Sequence, residues 1–470
     1  MNTEALLRKK RNGYILLSGL VLIAFSLAFY PRVLTLLKFP SIVNQLHLLV
    51  IPWLCIFALF KTRVKDRSQI LVTKQLLVAV VFFFGVNLAS ALLNNAGIIN
   101  IVVNFLLLCE HFLFMLAIIS IPMTPERLVK FRAYLVFAGF INTFFAFVQR
   151  YVLNLHLRKG LEDNIKGVFI GGGAGHVVGA SVALSFGVYY FFNAKNVPVW
   201  IRTTVFLATF WHMNMADAKQ AILVFGVSWV LLLITKFKNI GQFFKYLIAA
   251  IVLGSVFYWC TQNLPEFRAF NTWARPEIYG SDGEATLLKS ATFRVVSTYY
   301  ESFLHPILGL GPGHTVTRLG GWMLKEYYGL LIPLGGTIHP ASRAIWAEVG
   351  ASWLGDQSSM FSPLFGWAGI WGDLGFLGLA SFIYIWLIVW FKVCVSDISR
   401  FFVINVVVFG LIFSQMEEPG YMLYVASLIA LQYQERQCKK LTDTYPELAK
   451  VAQPSSNSIK GWVKRLLMIT

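Results

Sequence analysis

The sequence predicts an all-α, polytopic membrane protein with about 12 transmembrane helices and one long, partly helical loop on the outer face. Of its 470 residues, 57% are hydrophobic and only 13% are charged. The apolar residues form blocks of about 18–26, which is enough to cross a hydrocarbon core of roughly 30 Å. A soluble chain of this length would need more polar residues to cover its surface.

The apolar blocks place the predicted membrane helices in order along the chain. Nine fall in residues 1–262, near 13–30, 41–60, 70–93, 97–122, 131–153, 168–193, 200–214, 217–235 and 242–262. A large extracytoplasmic loop follows at 263–366. Three further helices fall in residues 367–434, near 367–391, 401–415 and 419–434, and a basic tail occupies 435–470.

The basic residues predict the orientation of this bundle. If the N-terminus is cytoplasmic, most of the 40 Lys and Arg residues lie on the cytoplasmic side, including the run Arg8–Arg11 and those of the tail. Twelve helices with both termini inside agree with this bias. The net charge of +18 is therefore an orientation signal, and no nucleic-acid partner is expected.

Cysteine usage indicates neither a disulfide framework nor a metal site. The five cysteines are scattered, without a Cys-x-x-Cys or Cys/His spacing. We expect no metal and no cofactor.

The loop 263–366 is much longer than any other connection, and a long insertion in a compact helical protein is usually functional. We predict a helix over Thr292–Phe303, where aromatic residues recur at helical spacing. A glycine-shaped turn is expected over His305–His314. A second helix is predicted over Ala341–Leu354, begun by Pro340.

Five residues of this loop are candidates for a site: Arg294, His305, His314, His339 and Arg343. Arg294 lies among aromatic residues, where a cation needs a partner or an anionic ligand. His339 precedes a proline-started helix and could face the membrane surface. Alternatively, each of the five is solvated or bonds to nearby backbone groups.

Charged residues also occur near the predicted membrane helices. Asp217 and Lys219 lie at the start of the eighth helix, either as interfacial charges or as a phosphate-binding pair. Glu110 falls near the middle of the fourth helix, where a carboxylate is costly unless it is paired, protonated or hydrated. Asp373 and the pair Glu417-Glu418 lie towards the outer ends of the tenth and twelfth helices.

Short motifs in and after the loop resemble the O-antigen ligase and O-antigen polymerase superfamily. They are Thr292-Phe293-Arg294, the run His305–Gly313, His339 with Gly350 eleven residues later, and the run Gly372–Gly378. The predicted topology is also similar to that of the family.

This resemblance implies a GT-C-like glycosyltransferase in the bacterial inner membrane, with its active site on the periplasmic face. It would transfer a glycan from undecaprenyl pyrophosphate to a saccharide hydroxyl, without a metal or cofactor. By position, Arg294 matches the arginine that holds the pyrophosphate and His339 the histidine that activates the acceptor. Lys219 matches a basic residue at the outer end of a membrane helix. The remaining candidates, Asp217, His305, His314 and Arg343, would bind substrate.

Several functions remain open at this point. Pro340 and Trp353 depart from the ligase pattern, which favours a polymerase of exopolysaccharide or O-antigen over a ligase to lipid A core. A polymerase would fit a chain-length regulator as partner. A protein-glycosylating transferase belongs to the same set. The rival class is a transporter or flippase of lipid-linked glycans or small solutes, although no internal repeat of the kind common in transporters is evident.

Overall fold

The computed structural model describes residues 17–61, 66–159, 161–171, 174–236, 240–264, 267–355 and 360–444. Within these ranges every regular element is a helix, so the predicted all-α class is confirmed. The basic run Arg8–Arg11 and the tail beyond residue 444 lie outside the described residues.

Among the described residues, nine α-helices precede the long segment 264–365, which we call the insertion, and each coincides with one of the predicted apolar blocks. They are α1 Leu17–Phe29, α2 His47–Lys61, α3 Arg67–Leu93, α4 Ile98–Ser120, α5 Pro125–Phe147, α6 Gly175–Asn193, α7 Val199–Met215, α8 Lys219–Ile234 and α9 Ile240–Asn263. After α1 the chain bends by 51° into the 3-10 helix Pro31–Leu37. Pro31 starts this bend because its ring removes one backbone donor and clashes with a continuing helix.

The described part of the insertion contains seven α-helices, most of them short, and the π-helix Leu319–Met323; three longer α-helices follow it. Those of the insertion are α10 Arg268–Trp273, α11 Pro276–Tyr279, α12 Glu284–Thr298, α13 His305–Leu308, α14 Leu324–Glu326, α15 Tyr328–Leu331 and α16 Pro340–Ala351. The last three are α17 Gly366–Ile388, α18 Asp397–Phe409 and α19 Pro419–Thr444.

The helix predicted at 292–303 has different bounds, because α12 begins at Glu284 and ends at Thr298. Its predicted last turn is absent because the backbone N–H groups of Glu301 and Ser302 donate to the side chain of His305. The second predicted helix, α16, begins at Pro340 as expected but ends at Ala351.

Within the described part of the chain, seven helices are long and apolar enough to cross a membrane: α3, α4, α6 and α9, together with α2, α5 and α17 in slightly extended form. The bent α1 segment would make an eighth. Of the other predicted membrane helices, α7, α8 and α18 have only 17, 16 and 13 residues, and α19 becomes polar in its second half. The structure thus has the helices of a membrane protein, while the number twelve stays a prediction.

The centre of the bundle is formed by α4, α6 and α19. Helix α4 packs against α2, α3 and α19, whereas α6 packs against α5, α7 and α19. In contrast, no residue in the most apolar stretch of α9 is buried against the rest of the protein. The insertion rests on this bundle through α13, which packs on α17 and α3, and through α12, which packs on α16 and α17. Residues of the insertion therefore meet α3 and α17 of the bundle.

Candidate functional site

The insertion is attached to α17 through the carboxylate of Asp373. This carboxylate is fully buried and accepts four hydrogen bonds of 2.6–2.8 Å. The donors are the backbone N–H groups of Gly313 and Thr315 and the hydroxyl groups of Thr315 and Thr317. Charge-assisted bonds of this kind are stronger than neutral ones, so the segment 313–317 has a defined position on the bundle.

Two glycines allow the backbones of the insertion and α17 to cross. Gly375 interrupts α17 with a φ of 65°, and Gly309 has a φ of 73°. A Cβ atom on Gly309 would lie 2.4 Å from the backbone of Asp373, and one on Gly375 would lie 2.3 Å from the carbonyl of Ile307. No other residue type fits either place. The predicted glycine-shaped turn over His305–His314 therefore serves a close backbone contact.

His314 is buried within this turn, and both of its ring nitrogens are bonded. Nδ1 donates to the carbonyl of Leu310 at 2.7 Å, and Nε2 lies 2.8 Å from the hydroxyl of Thr337. That hydroxyl accepts from the backbone N–H of Gly97, so its own proton goes to Nε2. Burial lowers the pKa of His314 to about 4. The ring is therefore neutral at pH 7, and its tautomer is set by its partners.

His339 lies directly against His314. The two rings are nearly parallel, with centroids 5.3 Å apart, and Tyr299 contacts His339 edge-on. His339 is the N-cap of α16, because its Nδ1 accepts the backbone N–H of Ala341 at 3.1 Å. Burial lowers the pKa of His339, partly offset by the carboxylate of Glu301. A neutral ring that caps the helix in this way carries its proton on Nε2.

His305 completes a group of three imidazoles, which we call the imidazole cluster: His305, His314 and His339. His305 is buried, and its Nδ1 accepts the backbone N–H of Glu301 at 2.9 Å. It also lies close enough to His339 to lower the pKa of that ring. The structure thus brings together the three histidines that the loop sequence singled out.

Arg294 lies elsewhere. Its Nη2 donates to the carboxylate of Glu348 at 2.8 Å and to the carbonyl of Leu287 at 3.1 Å. The bond to Leu287 draws the guanidinium towards the start of α12, the bond to Glu348 ties it to the last turns of α16, and half of the side chain is exposed. Glu348 follows His339 by nine residues, which corresponds to about 13 Å along a helix. Arg294 and His339 are therefore not brought together in this conformation.

Of the remaining candidates, Arg343 lies one helical turn after His339, whereas Lys219 and Asp217 belong to another part of the fold. Arg343 is exposed on α16. Lys219, at the first position of α8, forms an ion pair with Asp217, whose φ is +48°. Asp217 also interacts electrostatically with His176 at the start of α6. Lys219 and Asp217 thus belong to a group of charges at the ends of α6 and α8.

Two largely buried cations that the sequence reasoning missed are Arg32, just after α1, and Arg318 in the insertion. We call them the guanidinium pair. Each donates to a different carboxylate oxygen of Glu418, immediately before α19. The three side chains are 14%, 11% and 8% exposed, respectively. The backbone N–H of Arg318 also donates to Glu417 at 2.7 Å. Only the adjacent carboxylates before an apolar helix signalled such a cluster in the sequence.

Aromatic and charged groups surround the guanidinium pair. Arg32 lies over the ring of Phe169 at 5.9 Å, and Arg318 lies over the ring of Trp322 at 5.5 Å. Burial lowers the pKa of Lys166, between α5 and α6, and the like charge of Arg32 lowers it further. This arrangement favours an anion, because weakly hydrated guanidinium groups on aromatic faces are well suited to bind phosphate.

The partner of Glu110, which could not be identified from the sequence, is His47 on α2. Nδ1 of His47 lies 2.6 Å from the Glu110 carboxylate, and both side chains are fully buried. Glu110 interacts electrostatically with Arg318, and His47 does so with Glu418. The pair therefore continues the charged cluster into the helical bundle.

Chain connectivity joins the imidazole cluster to the guanidinium pair. His314 and Arg318 are four residues apart, and Thr315 and Thr317 between them are held by Asp373. On the other side, the carbonyl of Gly320 accepts from Ser342 of α16. One member of the imidazole cluster, His314, and one member of the guanidinium pair, Arg318, thus occur on one anchored segment.

No protein-family model matches this chain, and a search of curated proteins finds no match either.

Proposed function

We propose that this protein is a membrane-embedded glycosyltransferase that moves a glycan from undecaprenyl pyrophosphate to a saccharide hydroxyl in surface polysaccharide assembly. In this proposal the protein lies in the bacterial inner membrane and has twelve membrane helices in a GT-C-like arrangement. Both termini are cytoplasmic, and the active site is on the outer face. The favoured activity is that of an O-antigen or exopolysaccharide polymerase, and the alternative is that of a ligase to lipid A core.

The observation that carries the proposal is the guanidinium pair at the junction of the insertion and the membrane helices. Arg32 follows the first apolar helix, and Arg318 comes from the insertion. A polyprenyl diphosphate has its tail in the bilayer and its anionic head at the boundary, so it needs fixed positive charge at such a junction. Guanidinium groups with little exposure stabilise the charge that builds up on the leaving diphosphate more than hydrated ones do.

In the proposed reaction, the acceptor hydroxyl oxygen attacks the anomeric carbon of the donor. The new C–O bond forms as the bond from that carbon to the diphosphate oxygen breaks, and the lipid diphosphate leaves with the bonding electron pair. The hydroxyl proton must be taken up by a base. His339 is the half-buried member of the imidazole cluster and is the candidate for this role.

The helix cap affects how His339 can act. While Nδ1 accepts from Ala341, the proton of the neutral ring is on Nε2, and that nitrogen can only donate. The opposite tautomer frees Nε2 as a base at the loss of one capping bond. Such a bond contributes about 1 kcal/mol to stability, whereas general base catalysis contributes about 10²–10⁴-fold to a rate. The exchange is therefore a small barrier to the proposed role.

A transporter or flippase of lipid-linked glycans or small solutes is the second candidate. The buried pair His47–Glu110 supports it, since ionisable residues within a membrane bundle often mark ion or substrate pathways. The long insertion and its imidazole cluster are not explained by transport alone.

Purified protein in liposomes distinguishes the two functions. The substrate is a fluorescent lipid-linked oligosaccharide, supplied with or without a saccharide acceptor. A transferase yields an elongated or ligated product only when the acceptor is present. Movement of the labelled lipid between leaflets without an acceptor, and no product with one, would establish transport and refute the proposal.

A further inference from the structure

The contact from which we draw a further inference is the one between Glu418 and the guanidinium pair. One carboxylate oxygen of Glu418 accepts from Nη2 of Arg32, and the other accepts from Nη1 of Arg318. The carboxylate thus lies between two guanidinium groups from different parts of the fold. A diphosphate would place its oxygens in the same position.

We propose that Glu418 is an internal anion that occupies the diphosphate position in the resting protein, and that the arriving diphosphate displaces it from Arg32 and Arg318. This inference rests on the proposed function. It adds a regulatory role, because the empty site would be closed by the protein's own carboxylate and the cations would remain paired until the donor arrives.

Unused hydrogen-bond donors beside Glu418 support this reading. Nε of Arg318 is buried, and no partner is found for it among the described residues. The same is true of Nε2 of Gln415, in the turn that leads to Glu418. A carboxylate offers two oxygens, whereas a diphosphate offers several more and carries a larger negative charge. It could therefore satisfy donors that Glu418 leaves unsatisfied.

The neighbouring carboxylates do not provide a replacement for Glu418. Glu417 accepts from the backbone N–H of Arg318, and burial raises its pKa to about 8. Glu417 is thus mostly neutral at pH 7. Glu110 is engaged by His47 at 2.6 Å. If Glu418 leaves, the guanidinium pair needs an anion from outside, since two unpaired buried cations are costly.

The backbone around Glu418 permits its withdrawal. Glu418 has an extended conformation and is followed by Pro419, at the first position of α19. Arg32 lies in the bent segment that begins with Pro31. Both partners are thus at helix ends, and the carboxylate can rotate away without disrupting a helix interior.

The test is anion binding by the purified full-length protein, with inorganic pyrophosphate as the probe. Removing the charge in Glu418→Gln should tighten pyrophosphate binding at least about tenfold, because the internal competitor is lost. Glu348→Gln is the matched control, since it removes the carboxylate from the exposed Arg294 pair, and it should leave the Kd unchanged. Equal or weaker binding by folded Glu418→Gln overturns the inference.

A second variant keeps the inference testable if Glu418→Gln does not fold. Glu418→Asp keeps the charge but shortens the side chain, so the carboxylate cannot reach both guanidinium groups as the wild type does. It should bind pyrophosphate more tightly than wild type. If Glu418→Gln does not fold, the inference is decided by Glu418→Asp alone, and unchanged binding in that variant refutes it.

Two further arms separate the ligand source and the proposed function. Inorganic phosphate and undecaprenyl pyrophosphate in nanodiscs show whether a free phosphate or a lipid headgroup gains most from Glu418→Gln. The transfer assay is run in parallel on the wild type. Tighter binding without any transfer product would support the displacement and refute the transferase, whereas transfer with unchanged binding would do the reverse.

Discussion

The imidazole ring of His339 stacks on that of His314, with ring centroids 5.3 Å apart and planes inclined by 24°. His314 is locked by Leu310 and Thr337, so it provides a fixed, neutral surface for the second ring. His339 is also held at the start of α16 by its bond to Ala341. A half-buried imidazole is thus oriented from two sides.

Replacing His339 tests whether its imidazole is needed for transfer. His339→Asn removes the titratable ring but keeps a side chain that caps helices well. We expect transfer to fall by about 10²–10⁴-fold if the ring is the base. Product formation is measured with the lipid-linked oligosaccharide assay. Full activity of His339→Asn would exclude the ring from catalysis. His339→Ala should show the same loss of transfer, and its missing cap should lower the free energy of unfolding by about 1 kcal/mol.

Two arginines of the insertion, Arg318 and Arg294, make a matched pair of test positions. Arg318→Lys keeps a positive charge, but its ammonium group cannot bind two oxygens in the bidentate way of a guanidinium. We therefore expect transfer to fall by about 10²–10³-fold. Arg294→Lys alters only a half-exposed ion pair and should change transfer little. The resemblance assigns the diphosphate to Arg294 and predicts the opposite. A severe defect in Arg294→Lys with normal Arg318→Lys would therefore favour that assignment.

The buried His314 predicts a loss of stability in acid. Its pKa is lowered by burial from the ordinary value of 6.5 to about 4, so the unfolded chain binds the proton more readily. Its contribution is present above pH 6.5 and is lost as the pH falls towards 4, up to about 3 kcal/mol. Thermal unfolding in detergent at pH 7 and pH 4.5 measures this. His314→Gln should reduce the difference between the two pH values, and an unaltered difference would contradict the prediction.

Asp373 should hold the insertion on the bundle. Asp373→Asn loses a charged acceptor and leaves buried donors of Thr315 and Thr317 without a full set of partners, which we expect to destabilise the protein by about 3 kcal/mol or more. Limited proteolysis should then cleave the insertion faster. Thr317→Val removes a single hydrogen bond and should cost about 1 kcal/mol. Equal protease resistance of wild type and Asp373→Asn would show that this attachment is not important.

The orientation of the insertion can be tested by chemical labelling. Arg343 is exposed on α16, so Arg343→Cys should react in intact bacterial cells with a maleimide that does not cross the inner membrane. Four of the natural cysteines, Cys55, Cys109, Cys394 and Cys438, are buried and give little background. Labelling only after the cells are opened would place the insertion in the cytoplasm and reverse the proposed topology.

Much of the local structure could be predicted from the sequence. Apolar runs of sufficient length indicate helices whatever their neighbours, and a helix is present at each of the twelve predicted positions. The glycine-rich turn after His305 was also readable, because Gly309 and its neighbours specify a positive φ. The end of α12 was not, because it depends on a side chain, His305, that returns to bond the backbone of Glu301.

The sequence by itself determined the helical class, the apolar segments and the histidines that deserve testing, since these follow from composition and short-range spacing. Only the tertiary structure decided which charges meet. Arg32 and Glu418 are 386 positions apart, and Arg318 and Glu418 are 100 apart, so no periodicity relates them. Helix packing joins them, because cations buried at the bundle's end need a carboxylate partner, while Arg294 finds Glu348 at the surface.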